Sequence, residues 1–302
     1  MRGRLHKVEG IRARKGLVAV TTDIIITGTG FPVPDPKRAG PGVLVCHGDL
    51  NMQFDAGRST VRRIVEAGVL TQEVDAFFAT HHHSDHLVGL PDLVMTRWNM
   101  GRRGDLDPLD VIVPAGPSER FVNSMLDVWQ DDLDVRQLHL GQDAGPQMNV
   151  MPFDYPEQVS PVWERDGVIV SAGQVRHEPV YPAVGYRVET PDGVVAITGD
   201  TLVCDEVALL AAGADVLIYE AMLFTLVETW DAEFHPIMNY HADSRLIGAQ
   251  AESCGVKTLV LTHTIPAPNT DELKQTYADH IRDGGFTGEL LVADDLDAVH
   301  LG

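Results

Sequence analysis

The chain has 302 residues, and its 23 Lys+Arg stand against 44 Asp+Glu, a formal charge of −21 at pH 7. So acidic a balance repels phosphate backbones and anionic headgroups, which disfavours nucleic acid and membrane surfaces as partners. Apolar residues make up 44% of the chain, ordinary for a globular protein long enough to bury one large core.

The N-terminal stretch Met1–Arg14 is basic, and residues 1–20 read as an extension ahead of a domain spanning 21–302. Gly16–Ile26 is interrupted by Thr21, Thr22 and Asp23 and lacks the pattern of a secretory leader, so a cytoplasmic protein is expected. No run approaches the length of a membrane span. Asp23–Gly28, Gly42–Cys46 and Met52–Asp55 then read as strands, and Arg58–Ala67 as a helix stopped at Gly68. Glu73–Ala79 is a buried strand running into a histidine cluster, and Pro117–Asp131 has helical apolar spacing. Val168–Arg176, Val184–Glu189 and Val194–Thr198 are strands, as are Val216–Glu220 and Thr258–Thr262, with a helix over His241–Cys254 between the last two. Strands in both halves with helices between and after them predict an α/β (α+β) protein, two sheets face to face with helices outside, as a single domain. The cysteines, Cys46, Cys204 and Cys254, are too far apart for a disulfide framework or a cysteine zinc site.

Chemistry concentrates in Thr80-His81-His82-His83-Ser84-Asp85-His86, directly after the strand ending at Ala79. In an extended segment His81 and His83 project to the same side. Asp85 and His86 follow as the chain turns and face a second position. Neutral imidazole and carboxylate are ligands for Zn²⁺, Fe²⁺ or Mn²⁺. His177, Asp200 and His263 each stand at the carboxyl end of a predicted strand, where sheets commonly build sites. Together these residues complete two metal positions.

The pattern His81-x-His83-x-Asp85-His86 resembles the signature of the metallo-β-lactamase superfamily. The segments Phe54-Asp55-Ala56-Gly57-Arg58, Gly185-Tyr186-Arg187-Val188, Thr198-Gly199-Asp200-Thr201, Tyr219-Glu220-Ala221 and Leu261-Thr262-His263 are similar to its ribonuclease Z and arylsulfatase-like branch. The resemblance runs from about residue 23 to the C-terminus and implies the family's four-layer αββα sandwich. It implies that His81, His83 and His177 hold one divalent ion and Asp85, His86 and His263 a second, with Asp200 bridging. Zinc is the expected metal, with manganese or iron as alternatives. Asp55 would orient the histidine segment from behind, and His82 would point away. His241 matches a histidine that protonates the leaving group, with Glu220 as its partner, and Asp85 belongs to the same catalytic set. As the predicted opening residue of a helix, His241 would have its charged form disfavoured by the dipole. A homodimer is implied at family level.

Two departures bear on substrate. The tRNA-processing members carry a long arm between the Gly-Tyr-Arg strand and the Gly-Asp-Thr segment, where this chain has only Glu189–Gly193. Tyr219-Glu220-Ala221-Met222 also stands where the family has His-Glu-Ala-Thr. The apolar groups of Met222–Tyr240, with Trp98 and Phe31, either wall a pocket for an apolar or aromatic substrate or serve as dimer contacts or satellite core. The expected function is therefore hydrolysis of a small ester (an aryl sulfate, phosphodiester, lactone or carboxylic ester) by metal-activated water. A ribonuclease Z-like RNA 3′-processing phosphodiesterase and an iron-dependent redox enzyme are the alternatives.

Overall fold

A computed structural model describes residues 21–101, 106–141 and 144–302, and the expected extension, residues 1–20, lies outside the described residues. Two seven-stranded sheets form the centre. In the first, β1 (Thr22–Gly28), β2 (Gly42–His47) and β3 (Leu50–Phe54) run antiparallel, and β4 (Ala76–Phe78), β5 (Leu109–Pro114) and β6 (Met148–Phe153) continue in parallel. The second begins with β7 (Ser160–Arg165), β8 (Val168–Gln174), β9 (Val184–Thr190) and β10 (Gly193–Ile197), all antiparallel. It turns parallel through β11 (Val216–Met222), β12 (Thr258–Ile265) and β13 (Glu289–Val292), while β14 (Ala298–Leu301) returns to pair with β1.

Apolar residues on alternate strand positions fill the space between the sheets, where Phe54 stacks on Phe78 at 4.6 Å and Tyr186 and Trp163 close around them. A second apolar layer, including Ile64, Phe77, Leu90 and Leu93, lies under α1 (Thr60–Glu66), α2 (Ser84–Leu87), α3 (Leu90–Met100) and α4 (Pro117–Ser124). A third, including Val207, Tyr219, Ile247 and Tyr277, joins the other sheet to the helices that follow it. Those are α6 (Asp205–Ala211), α8 (Ser244–Ser253) and α9 (Asp271–Asp283); in chain order α5 (Gln130–Leu140) precedes α6 and the short α7 (Phe224–Val227) precedes α8. The order helix, sheet, sheet, helix is the expected αββα sandwich.

Three local expectations change. The helix predicted over Pro117–Asp131 ends at Ser124, and after a 3₁₀ turn at Asp127–Trp129 a new helix, α5, begins. The strand predicted from Glu73 starts at Ala76, because Thr71–Glu73 forms a 3₁₀ turn in which the Glu73 carboxylate accepts from the Leu70 backbone N–H. The helix predicted from His241 starts at Ser244, where Asp243 caps it by accepting from the Arg245 N–H. Among the described residues no helix is long and apolar enough to cross a membrane.

Candidate metal centre

The carboxyl ends of parallel strands from both sheets meet along one edge, and each delivers a polar residue. β3 runs into Asp55, β4 into the His81 segment, β10 into Asp200, β11 contains Glu220, and β12 contains His263. The two sheets are stitched here: Tyr186 Oη donates to Ala79 O at 2.6 Å and Val184 N to Thr80 O at 3.0 Å. A bulge aims His263. Glu220 pairs with Thr262 and Ala221 with Thr264, so His263 is the extra residue, at φ 44°. Asp55 also holds a positive φ of 52° at its turn.

The predicted ligands converge. His81, His83, His177 and Asp200 form one group whose ligand atoms lie within 4.8 Å of one another, and Asp85, His86 and His263 form a second on the same criterion. Asp200 is central: one carboxylate oxygen lies 3.3 Å from His86 Nε2, 3.5 Å from His263 Nε2, 3.8 Å from His177 Nε2 and 3.9 Å from His81 Nε2. Asp85 faces His263 Nε2 at 3.5 Å and His86 Nε2 at 3.7 Å.

Outer contacts fix which nitrogen faces inward in His81, His86 and His177. His86 Nδ1 donates to Asp55 Oδ2 at 2.7 Å, and His177 Nδ1 donates to Tyr240 O at 2.8 Å. Asp55 also accepts from Thr80 N and from Thr80 Oγ1, each at 2.8 Å, and Thr80 Oγ1 in turn accepts from His81 Nδ1 at 3.0 Å. That leaves Nε2 of His81, His86 and His263, with Asp85 Oδ2 and Asp200 Oδ1, buried without a hydrogen-bond partner among the described residues. Buried polar atoms are rarely orphaned. A set of inward lone pairs and carboxylate oxygens fits divalent cations, with His81, His86 and His177 each steadied through the other ring nitrogen.

The electrostatics agree. Burial pulls His177 down to about 4 and lowers His81, so both present neutral imidazole. Burial works against ionised Asp85, but the His263 imidazole facing it at 3.5 Å and the charge of His86 outweigh it and hold the carboxyl at about 2. His86 is the exception. Burial opposes its charge, yet Asp200 and Asp55 raise it well above the usual histidine value. Without a cation His86 therefore carries a proton at neutral pH, which a metal must displace. Metal affinity is expected to rise with pH between 6 and 8, by about tenfold per unit for each proton released. Competition titrations with a pH-corrected chelator measure that slope. A flat profile would show that no histidine proton is displaced.

Gly199 sets Asp200 in place, at φ 62° with the position of a Cβ only 2.8 Å from Thr80 Cβ. Gly199→Ala would add about 1–2 kcal/mol of left-handed strain and a clash with the residue supporting His81. A drop in melting temperature of several degrees, together with loss of bound metal, is expected from calorimetry and elemental analysis.

His241 lies in the loop ahead of α8, outside the helix, so the dipole effect expected from the sequence does not apply. Its Nδ1 donates to Glu220 Oε1 at 2.8 Å, and it stacks on His263 with ring centroids 5.6 Å apart. Burial would lower its basicity, but the Glu220 carboxylate outweighs that and raises it. Glu220 is held by the backbone N–H groups of Thr201 and Ala242. His82 is half-buried beside Arg120, off the site.

Two contributors were not singled out in the sequence. Thr80 relays between Asp55 and His81, and the Tyr240 carbonyl fixes His177. Backbone carbonyls leave no signal in sequence. The apolar segment resolves mainly as satellite core: Met222, Val227 and Ile265 pack with Phe31, Phe224 and Trp230. Trp98 is spent on Ala144 O, not on a pocket wall.

This fold and centre define a metal-dependent hydrolase. The sequence matches the family model for the beta-lactamase superfamily domain over residues 51–264. It is 34% identical over 281 residues to a ribonuclease Z from Mycobacterium bovis (strain BCG / Pasteur 1173P2), covering 92% of this chain and 98% of that one. A ribonuclease Z from Mycolicibacterium paratuberculosis is 35% identical over 282 residues, again covering 92% and 98%. Among solved structures, human tRNase Z, short form, superposes with a TM-score of 0.66 at 22% identity, over 92% of this chain and 98% of that chain. The metallo-beta-lactamase fold protein YhfI from Bacillus subtilis gives 0.68 at 18%, over 93% and 99%. The chain belongs to the metallo-β-lactamase superfamily, in its ribonuclease Z branch.

These relatives correct two expectations: a small ester as the substrate, and nucleic acid as a disfavoured partner. Net charge averages a whole surface, whereas a phosphodiester meets a few residues beside a cationic centre. Nor does the short Glu189–Gly193 turn separate this chain from them. The 281 aligned positions take in 98% of the M. bovis relative, leaving it no room for a long arm that this chain lacks.

Proposed function

We propose that the chain is a ribonuclease Z-like phosphodiesterase that processes RNA at the 3′ side, using zinc in both positions. The observation that carries this is its similarity, 34% identity over 92% of the chain, to a ribonuclease Z. Zinc is favoured by a donor set of imidazoles and monodentate-capable carboxylates. His81, His83 and His177 would hold one ion and Asp85, His86 and His263 the other, with Asp200 shared. When bound, two divalent ions supply Lewis acidity at neutral pH.

The chain's own residues do the rest. Asp55 and Thr80 hold His86 and His81 in one orientation. His241 has one ring nitrogen on Glu220 and a place beside Asp200 and His263, so it can hand a proton to the leaving oxygen. Glu220 keeps that imidazole basic enough to carry the proton.

The test is a structured precursor RNA with a 3′ trailer, incubated with zinc-loaded and chelator-treated protein. Metal-dependent endonucleolytic release of the trailer supports the proposal. No cleavage by protein that carries its full metal complement overturns it.

A further inference from the structure

The metal centre leaves one aromatic ring at its edge without a structural task. Tyr240 is the last residue of the loop before His241, and its backbone is held from both sides. Its N–H donates to Ile237 O at 3.3 Å, and its carbonyl accepts from His177 Nδ1 at 2.8 Å. The main chain that carries the ring is therefore fixed, and the ring itself is held by its neighbours. Its ring lies 5.3 Å from that of His177, nearly perpendicular at 87°, and 5.0 Å from that of His241, tilted at 52°. Yet Tyr240 is not part of the satellite core made by Phe31, Phe224, Trp230 and their neighbours, and it is only half-buried. No hydrogen-bond partner for its hydroxyl is found among the described residues.

A rigidly mounted, half-exposed ring in contact with one proposed ligand and the proposed proton donor suits a substrate with a flat group close to the bond being cut. In RNA that group is a base, one sugar away from its phosphate. We infer that Tyr240 is a stacking platform for a base next to the cleaved phosphodiester, a binding residue that positions RNA over the centre. This rests on the phosphodiesterase function proposed above. Base–aromatic stacking tolerates any base, so the platform would locate the strand without reading its sequence.

The test uses the full chain with its metal content measured for each variant. Tyr240→Leu should raise KM for RNA by about 5- to 100-fold, with kcat and bound metal unchanged. Tyr240→Phe, which keeps the ring, should behave as the parent. RNA carrying an abasic residue at each of the two nucleotides flanking the cut, tested in turn, should reproduce the KM penalty with the parent enzyme at one of them. Combining that substrate with Tyr240→Leu should then add nothing, because both changes remove one contact. An unchanged KM in Tyr240→Leu, or a penalty equally large on every abasic RNA, overturns the platform while leaving the phosphodiesterase standing. If the metal-loaded parent cleaves no RNA at all, the functional proposal falls and the platform with it.

Discussion

Asp200→Ala is expected to leave a folded protein that binds no metal pair and has lost at least about a thousandfold in turnover, the scale at which metal-assisted hydrolysis is lost. The expectation comes from position. One Asp200 oxygen lies within 3.3–3.9 Å of Nε2 on four histidines, His86, His263, His177 and His81, drawn from both proposed positions. Among the described residues no other side chain touches both groups so evenly. His263 and His86 also hold Asp200 ionised despite its burial. Removing it takes away the charge that offsets two cations and leaves each position short of a donor. The fold should survive, because the sheets are joined by apolar packing and by backbone contacts such as Val184 to Thr80. Thermal unfolding with and without zinc separates the two effects, since a ligand raises the melting temperature only if it binds the native state. The parent should shift upward with zinc and the variant should not. A variant that keeps two equivalents of metal and its activity would remove Asp200 from the bridging position.

His241→Ala is expected to keep its metal and to lose about a hundred- to ten-thousandfold in kcat where the leaving group is a poor one. Such a loss reflects a missing proton donor. The role rests on the partner: one nitrogen of His241 is taken by Glu220 at 2.8 Å, and that carboxylate raises the basicity of the ring. Retention of the metal is what separates a proton donor from a ligand in a side chain that also lies beside Asp200 and His263. A p-nitrophenolate leaving group needs little protonation, whereas the alkoxide of a ribose needs a full proton. Diesters with a graded series of leaving groups should therefore show a steep dependence in the variant and a shallow one in the parent. Equal loss across the series, or loss of metal, would assign His241 to positioning or to ligation. Glu220→Gln should fall between the two, because the amide still accepts from His241 but no longer stabilises its charge.

The sequence by itself marked the candidate ligands. His81, His83, Asp85 and His86 are fixed within six residues, and a strand followed by a turn leaves them few directions to face. His177, Asp200 and His263 were legible as polar residues ending apolar strands, and the sandwich followed from the alternation of those strands with amphipathic helices. Tertiary structure decided what no local pattern encodes. The bulge at His263 arises only when β12 pairs with β11, since a register shift needs two strands. The relay from Asp55 to His81 runs through a Thr80–Asp55 contact that spans 25 residues of chain and exists only once β3 and β4 lie side by side. The state of His241 depended on where α8 starts: Asp243 takes the cap, so Glu220, brought 21 residues nearer by the fold, governs the ring in place of the helix dipole. The fate of the aromatic segment was likewise a matter of packing. Burial against Ile265 drew most of its large side chains into core and left Tyr240 at the edge of the centre, because hydrophobic burial is non-directional and composition alone cannot say which ring stays exposed.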